Sequence, residues 1–178
     1  MKKLIAVNKQ DKIIGYKTWQ ECHSLRGIFH RAFSIFVVNN KSKLLLQKRS
    51  KYKPLWPLFW SNTCCSHLRK GEAIKEAARQ RLKEELGFTV SLKEVFKFNY
   101  QAIYEDIGSE NEVCTVLVGK YNGKKIRPDK KEVVDYKWVS LDWLKKDLKQ
   151  NFSSYTPWFK IEFKKLINQK FYQQRGIK

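Results

Sequence analysis

The chain has 178 residues, 42% hydrophobic and 14% aromatic, with 37 basic against 17 acidic side chains and a formal net charge of +20. That length suits one domain, residues 1–178, able to bury a core without disulfide staples, and the composition excludes a disordered chain. No apolar run is long enough to span a membrane, and the apolar stretch after Lys3 is too short for a signal peptide, so a soluble, cytoplasmic protein is expected.

In chain order, "LIAV" (4–7) is a short strand candidate, and "FSIFVV" (33–38) reads as a strand buried on both faces because its apolar run is continuous. "NNKSK" then turns the chain and "LLLQK" (44–48) returns it, which predicts a hairpin. "KPLWPLFW" (53–60) carries two prolines and reads as loop. From Glu72 to Leu86 the period changes: Ile74, Ala77, Ala78, Leu82 and Leu86 fall at helical spacing, and Gly87 is placed to cap the end. Strand-like runs follow at 95–104, 112–121 and 133–139. Ser140 is placed to cap a short helix through Leu148, and Phe159, Phe163, Leu166 and Ile167 lie on one face of a C-terminal helix. The order predicts an α+β fold, a mixed central sheet sandwiched by helices.

The cysteines, Cys22, Cys64, Cys65 and Cys114, are expected to be reduced thiols, since adjacent cysteines diverge from one backbone and nothing points to secretion. Cys22 and Cys114 read as packing residues. The positive charge attracts anions in general. The lysines are spread along the chain, with a modest cluster at 160–170. An Arg-rich arm, zinc-finger spacing and an RNA-binding aromatic signature are all lacking, so no nucleic-acid partner is expected.

The stretch "SHLRKGEAIKEAARQRLKEELGF" (66–88) resembles a degenerate Nudix box. Glu72, Leu82, Glu84, Glu85, Gly87 and Phe88 fit the box in register. Ser66, Gln80 and Arg81 replace its first glycine, its arginine and the glutamate that ligates metal in hydrolysing members. An arginine there repels a divalent cation and attracts phosphate, which argues for a diphosphate that is bound and not cleaved. Together with "FHRAFSIFVVNNKSKLLLQKRS", "WPLFWSNTCCSH", "ENEVC" and "TPW", the pattern resembles the type I isopentenyl-diphosphate isomerases over most of the chain.

The resemblance implies an α/β/α Nudix fold and the interconversion of isopentenyl and dimethylallyl diphosphate in isoprenoid precursor supply. It implies a monomer acting on a small prenyl diphosphate. Moving this double bond passes through a tertiary carbocation, which requires an acid and a base on opposite faces of the substrate, a wall that stabilises the cation without attacking it, and exclusion of water. By resemblance Cys65 and Glu112 are the opposing proton carriers, Tyr100 assists at Glu112, and Trp158 lays its indole face against the hydrocarbon. An indole face stabilises a desolvated cation by about 2 kcal/mol. Cys64, one residue away, would point to the opposite side if the segment is extended.

All three histidines, His23, His30 and His67, fall on metal-ligand positions of that family, with Glu110 and Glu112 completing the set. Such donors suit Zn²⁺, Mn²⁺ or Mg²⁺. A second Mg²⁺, arriving with the diphosphate, is implied at Glu85. Arg49, Lys53 and Arg81 match diphosphate contacts. A family lysine ahead of the first histidine is replaced by Trp19, with Lys17 as a possible substitute.

Overall fold

Strand β3 (His30–Val38) is the axis of the computed structural model, which describes residues 3–168. The elements before it are β1 (Leu4–Val7), β2 (Ile13–Lys17) and α1 (Trp19–His23). After it come β4 (Leu44–Arg49), β5 (Trp60–Ser61), β6 (Cys64–His67), α2 (Ile74–Leu86), β7 (Leu92–Tyr104), β8 (Gly108–Lys120), β9 (Val133–Val139), α3 (Leu141–Gln150) and α4 (Pro157–Asn168). The last residues of the basic cluster, 169 and 170, lie outside the described residues.

β3 runs parallel to β8 along its whole length, from His30 opposite Glu112 to Val38 opposite Lys120. Its other edge pairs antiparallel with β6 and touches β1 and β4. β7 and β8 form a long antiparallel hairpin, and β9 pairs with β4. The sheet is therefore mixed, with helices on both faces, as the element order predicts.

The two-residue period of β3 explains its continuous apolar run. Phe33, Ile35 and Val37 pack against Ala78, Leu82 and Leu86 of α2. Ala32, Phe36 and Val38 face the opposite way, into a cluster with Trp158, Phe159, Phe163 and Leu166 of α4. α2 ends at Gly87, whose φ of 77° is left-handed and whose N–H bonds back to Lys83. A Cβ there would also meet the Arg127 backbone at 2.9 Å, so glycine is required twice over.

Four differences from the sequence expectations bear on the site. Helix α2 starts at Ile74, because Glu72 stays in the preceding turn and accepts from the Arg69 N–H at 3.1 Å. Helix α1 was not expected; it is short and held by a capping box between Thr18 and Glu21. Residues 60–61 and 64–67 form short strands, with Trp60 leaving the predicted loop at 53–60 to pair with Lys48. Edge strand β2 was not anticipated either, since its Ile13, Ile14 and Tyr16 are exposed and leave no buried face to read.

Candidate active site

Five side chains from four elements converge where β3 begins. His23 ends α1, His30 opens β3, His67 ends β6, and Glu110 and Glu112 project together from β8, two residues apart on one face. Their ligating atoms all lie within 4.8 Å of one another. His23 Nε2 is 3.0 Å from Glu110 Oε2 and 3.1 Å from His67 Nε2, and His67 Nε2 is 2.9 Å from Glu112 Oε1. Gly108 lets α1 come this close: a Cβ on it would sit 2.5 Å from the His23 carbonyl oxygen.

The local bonds orient the rings. His23 and His30 each place Nδ1 2.7 Å from a backbone carbonyl, those of Trp19 and Ile28, which fixes the Nδ1–H tautomer and turns Nε2 toward the cluster. His30 Nε2 is fully buried without a hydrogen-bond partner. Burial and the neighbouring His67 and His23 push its pKa down to about 3, so it stays a neutral, lone-pair-bearing ring. Burial raises Glu110, but His23 and His67 outweigh it and hold that carboxyl well below its usual range. Three inward imidazole nitrogens, one of them the orphaned Nε2 of His30, and two carboxylates fit a divalent cation.

Beside this cluster lies a cavity of about 610 Å³. Cys65, Tyr100, Glu112 and Trp158 all line it, so the structure brings the four resemblance-derived residues to one compartment. The Tyr100 hydroxyl donates to Glu112 Oε2 at 2.6 Å. Burial and the Glu110 charge push the Glu112 carboxyl up to about 7. The Cys65 thiol is pushed up to about 12 by burial, against the pull of the nearby Arg49 guanidinium. Trp158 donates its indole N–H to Ser61 Oγ at 3.1 Å and Asn62 Oδ1 at 3.2 Å, and meets the Trp56 ring edge-on with centroids 5.3 Å apart. Cys64 points the other way, buried among the α2-facing core.

The basic residues divide. Lys53 Nζ and Arg81 Nη2 lie 3.3 and 2.9 Å from Glu85 Oε1, and both also pair with Glu132. Arg49 is held apart from that group. Its Nε and Nη2 donate to the carbonyls of Trp56 and Leu55, its Nη1 lies 4.0 Å from Cys65 Sγ, and its guanidinium sits 5.2 Å from the Trp158 ring. Glu85 lies outside the five-residue cluster, fully buried, and also accepts from Gln47 Nε2 at 3.1 Å. Trp19 lines the cavity and stacks on His23 at 4.2 Å, while Lys17 is tied to Glu21 at 3.1 Å on the outside.

Sequence reasoning did not find Trp56, Glu132 or Glu162. Glu132 follows an irregular loop that carries no periodic signal. Trp56 was read only as loop. Glu162 is a charge on a buried helix face, one turn after Trp158, and that conflict with its surroundings was the available signal.

Residues 28–159 match the family described as "NUDIX domain". The chain is 43% identical to "Isopentenyl-diphosphate Delta-isomerase 2" of Photorhabdus laumondii, over 96% of this chain and 93% of the relative. It is 38% identical to "Isopentenyl-diphosphate Delta-isomerase 1" of Aromatoleum aromaticum, over 92% of each. Among solved structures, the MutT protein from Methanosarcina mazei superposes with a TM-score of 0.67 at 20% identity, covering 83% of this chain and 99% of that one, and so shares the fold. The chain belongs to the NUDIX domain family and, within it, to the isopentenyl-diphosphate Delta-isomerases.

Proposed function

We propose that this chain interconverts isopentenyl and dimethylallyl diphosphate, with Cys65 and Glu112 as the two proton carriers. The observation that carries the assignment is their placement on one cavity whose walls also hold Tyr100 and Trp158. In the forward direction one carrier adds a proton to the terminal methylene carbon, which leaves the positive charge on the tertiary carbon. The other removes a proton from the carbon on the diphosphate side, and the double bond re-forms there. The reverse reaction exchanges the roles, so proton and charge balance in both directions. The Trp158 face stabilises the cation without offering it a nucleophilic lone pair.

His23, His30, His67, Glu110 and Glu112 would hold a Zn²⁺, Mn²⁺ or Mg²⁺ ion, whose charge offsets the two buried carboxylates. Tyr100 and His67 then orient Glu112 from either side. At the other end, Glu85 would hold the Mg²⁺ that accompanies the diphosphate. The unpartnered Oε1 of buried Gln47, which bonds Glu85 through its amide nitrogen, offers a second hard oxygen there. Lys53 and Arg81 neutralise phosphate oxygens, and Arg49 holds the Cys65–Trp158 end of the cavity together. We read residues 1–178 as one isomerase domain acting as a cytoplasmic monomer. Among the described residues no helix is long and apolar enough to cross a membrane.

Incubating isopentenyl diphosphate with the metal-loaded protein in D₂O tests the assignment. Dimethylallyl diphosphate carrying deuterium at the exchanged carbons is the expected product by NMR. Unchanged substrate with folded protein, or release of phosphate, refutes it.

A further inference from the structure

The two cations at the Glu85 end of the cavity are already matched. Lys53 and Arg81 face the carboxylates of Glu85 and Glu132, two positive against two negative charges, with Arg81 Nη2 at 2.9 and 2.8 Å from the respective oxygens. Such a neutral quartet does not by itself attract a multiply charged diphosphate, because each cation must be drawn from a carboxylate to serve a phosphate oxygen. The attraction has to come from charges on the same wall that are not committed in this way.

Arg49 is not paired with a carboxylate either, but its guanidinium is taken up by the Trp56 and Leu55 carbonyls at the inner end. Two further residues meet that description at the mouth. Lys131 lines the cavity at its rim, next in the chain to Glu132, and forms no ion pair among the described residues. Arg69 lines it from the β6 side. It continues the alternation Cys65, His67, Arg69, and its bridge to Leu4 shows that the backbone stays extended, so the three side chains share a face. Its side chain is 43% exposed and its closest carboxylate oxygen, on Glu72, is a distant 3.9 Å away. On that side Trp19 stacks on His23 and Lys17 is held outside by Glu21, so Arg69 is the cation this wall offers.

We propose that Lys131 and Arg69 form the outer half of the diphosphate site, capturing the anion at the cavity mouth before it reaches Lys53 and Arg81. This rests on the reading that the cavity takes a prenyl diphosphate. Lys131 supplies a mobile point charge and Arg69 a planar fork. Both act on the anion and not on the carbon undergoing proton transfer, so they govern capture more than turnover.

The test measures KM and kcat for isopentenyl diphosphate and, separately, calorimetric binding of inorganic pyrophosphate with Mg²⁺, in Lys131→Ala, Arg69→Met and Arg69→Lys. Lys130→Ala is the charge-matched control, since its amine bonds the Val134 carbonyl and it does not line the cavity. The expected result is a roughly tenfold rise in KM and in the pyrophosphate dissociation constant for Lys131→Ala and Arg69→Met, with kcat within about threefold. Arg69→Lys recovers part of the loss, and Lys130→Ala matches the parent. Variants that bind pyrophosphate and substrate as the parent does, or a loss confined to kcat, overturn the proposal. If the parent binds pyrophosphate but turns over no isopentenyl diphosphate, the isomerase reading fails. The pyrophosphate arm then still decides the role of the two cations.

Discussion

Tyr100 and Glu112 are directly opposed across the β7–β8 hairpin, and the phenol donates a 2.6 Å hydrogen bond to Oε2 of the carboxylate while His67 lies 2.9 Å from Oε1. The carboxylate is thus gripped at both oxygens from rigid strands. Tyr100→Phe removes one grip and leaves a buried oxygen without its donor, a loss of roughly 1.5–3 kcal/mol for a bond to a charged group. The expected outcome is a fall in kcat of roughly 10- to 100-fold with little change in KM. Steady-state kinetics on the folded variant, below its own melting temperature, checks it.

The adjacent thiols separate by face. Cys65 lines the cavity, whereas Cys64 packs in the α2-side core. Cys65→Ala is expected to lower kcat at least ~1,000-fold, as removal of an acid–base group does at the upper end, with stability nearly unchanged. Cys64→Ala is expected to retain activity and lose about 1 kcal/mol from a small buried cavity. Urea titrations alongside the D₂O assay distinguish the two. The reverse pattern places the proton carrier one residue away.

The legible parts of the chain were those where burial imposes a period. β3 and α2 stand out because one is apolar on both faces and the other on one stripe. The segment at 60–67 is polar and short, and its strand character comes from pairing with β3 and β4, which no local pattern reveals. The site residues were legible only jointly, through resemblance. Three isolated histidines carry no metal signal until α1, β3 and β6 bring their Nε2 atoms together. The capping box Thr18–Glu21 was the one local clue to the helix that delivers His23. Arg69 was visible in the alternation from Cys65, had the segment been read as extended.

Metal loading is expected to stabilise the fold. Without an ion the site holds two carboxylates and an orphaned His30 nitrogen in a buried space, and a ligand that binds only the folded state at 100 times its Kd adds about 2.7 kcal/mol. Chelator-treated protein should melt several degrees lower and recover on addition of Zn²⁺, Mn²⁺ or Mg²⁺. His30→Ala should abolish that recovery. Scanning calorimetry provides the measurement, and equal melting curves with and without chelator contradict the site.

Glu162 gives stability an unusual pH dependence. Its side chain is wholly buried one helical turn after Trp158, against Cys114, whose sulfur lies 3.7 Å from Oε1. Burial pushes its carboxyl up to about 8, the Glu112 charge adds to the rise, and hydrogen bonds with Ser34 and Cys114 oppose it. In the unfolded chain the same group ionises near 4.5. Between those two values the folded state keeps a proton that the unfolded state has lost. Stability from this group is therefore full below about 4.5, falls as pH rises toward 8, and levels off above it. Glu162→Gln keeps the shape and removes the titration. The variant should match the parent at low pH and gain on it by on the order of 5 kcal/mol by pH 9. Urea midpoints of metal-loaded parent and variant from pH 5 to 9 decide the point. Parallel stability curves over that range mean that Glu162 ionises in the folded protein as it does in water.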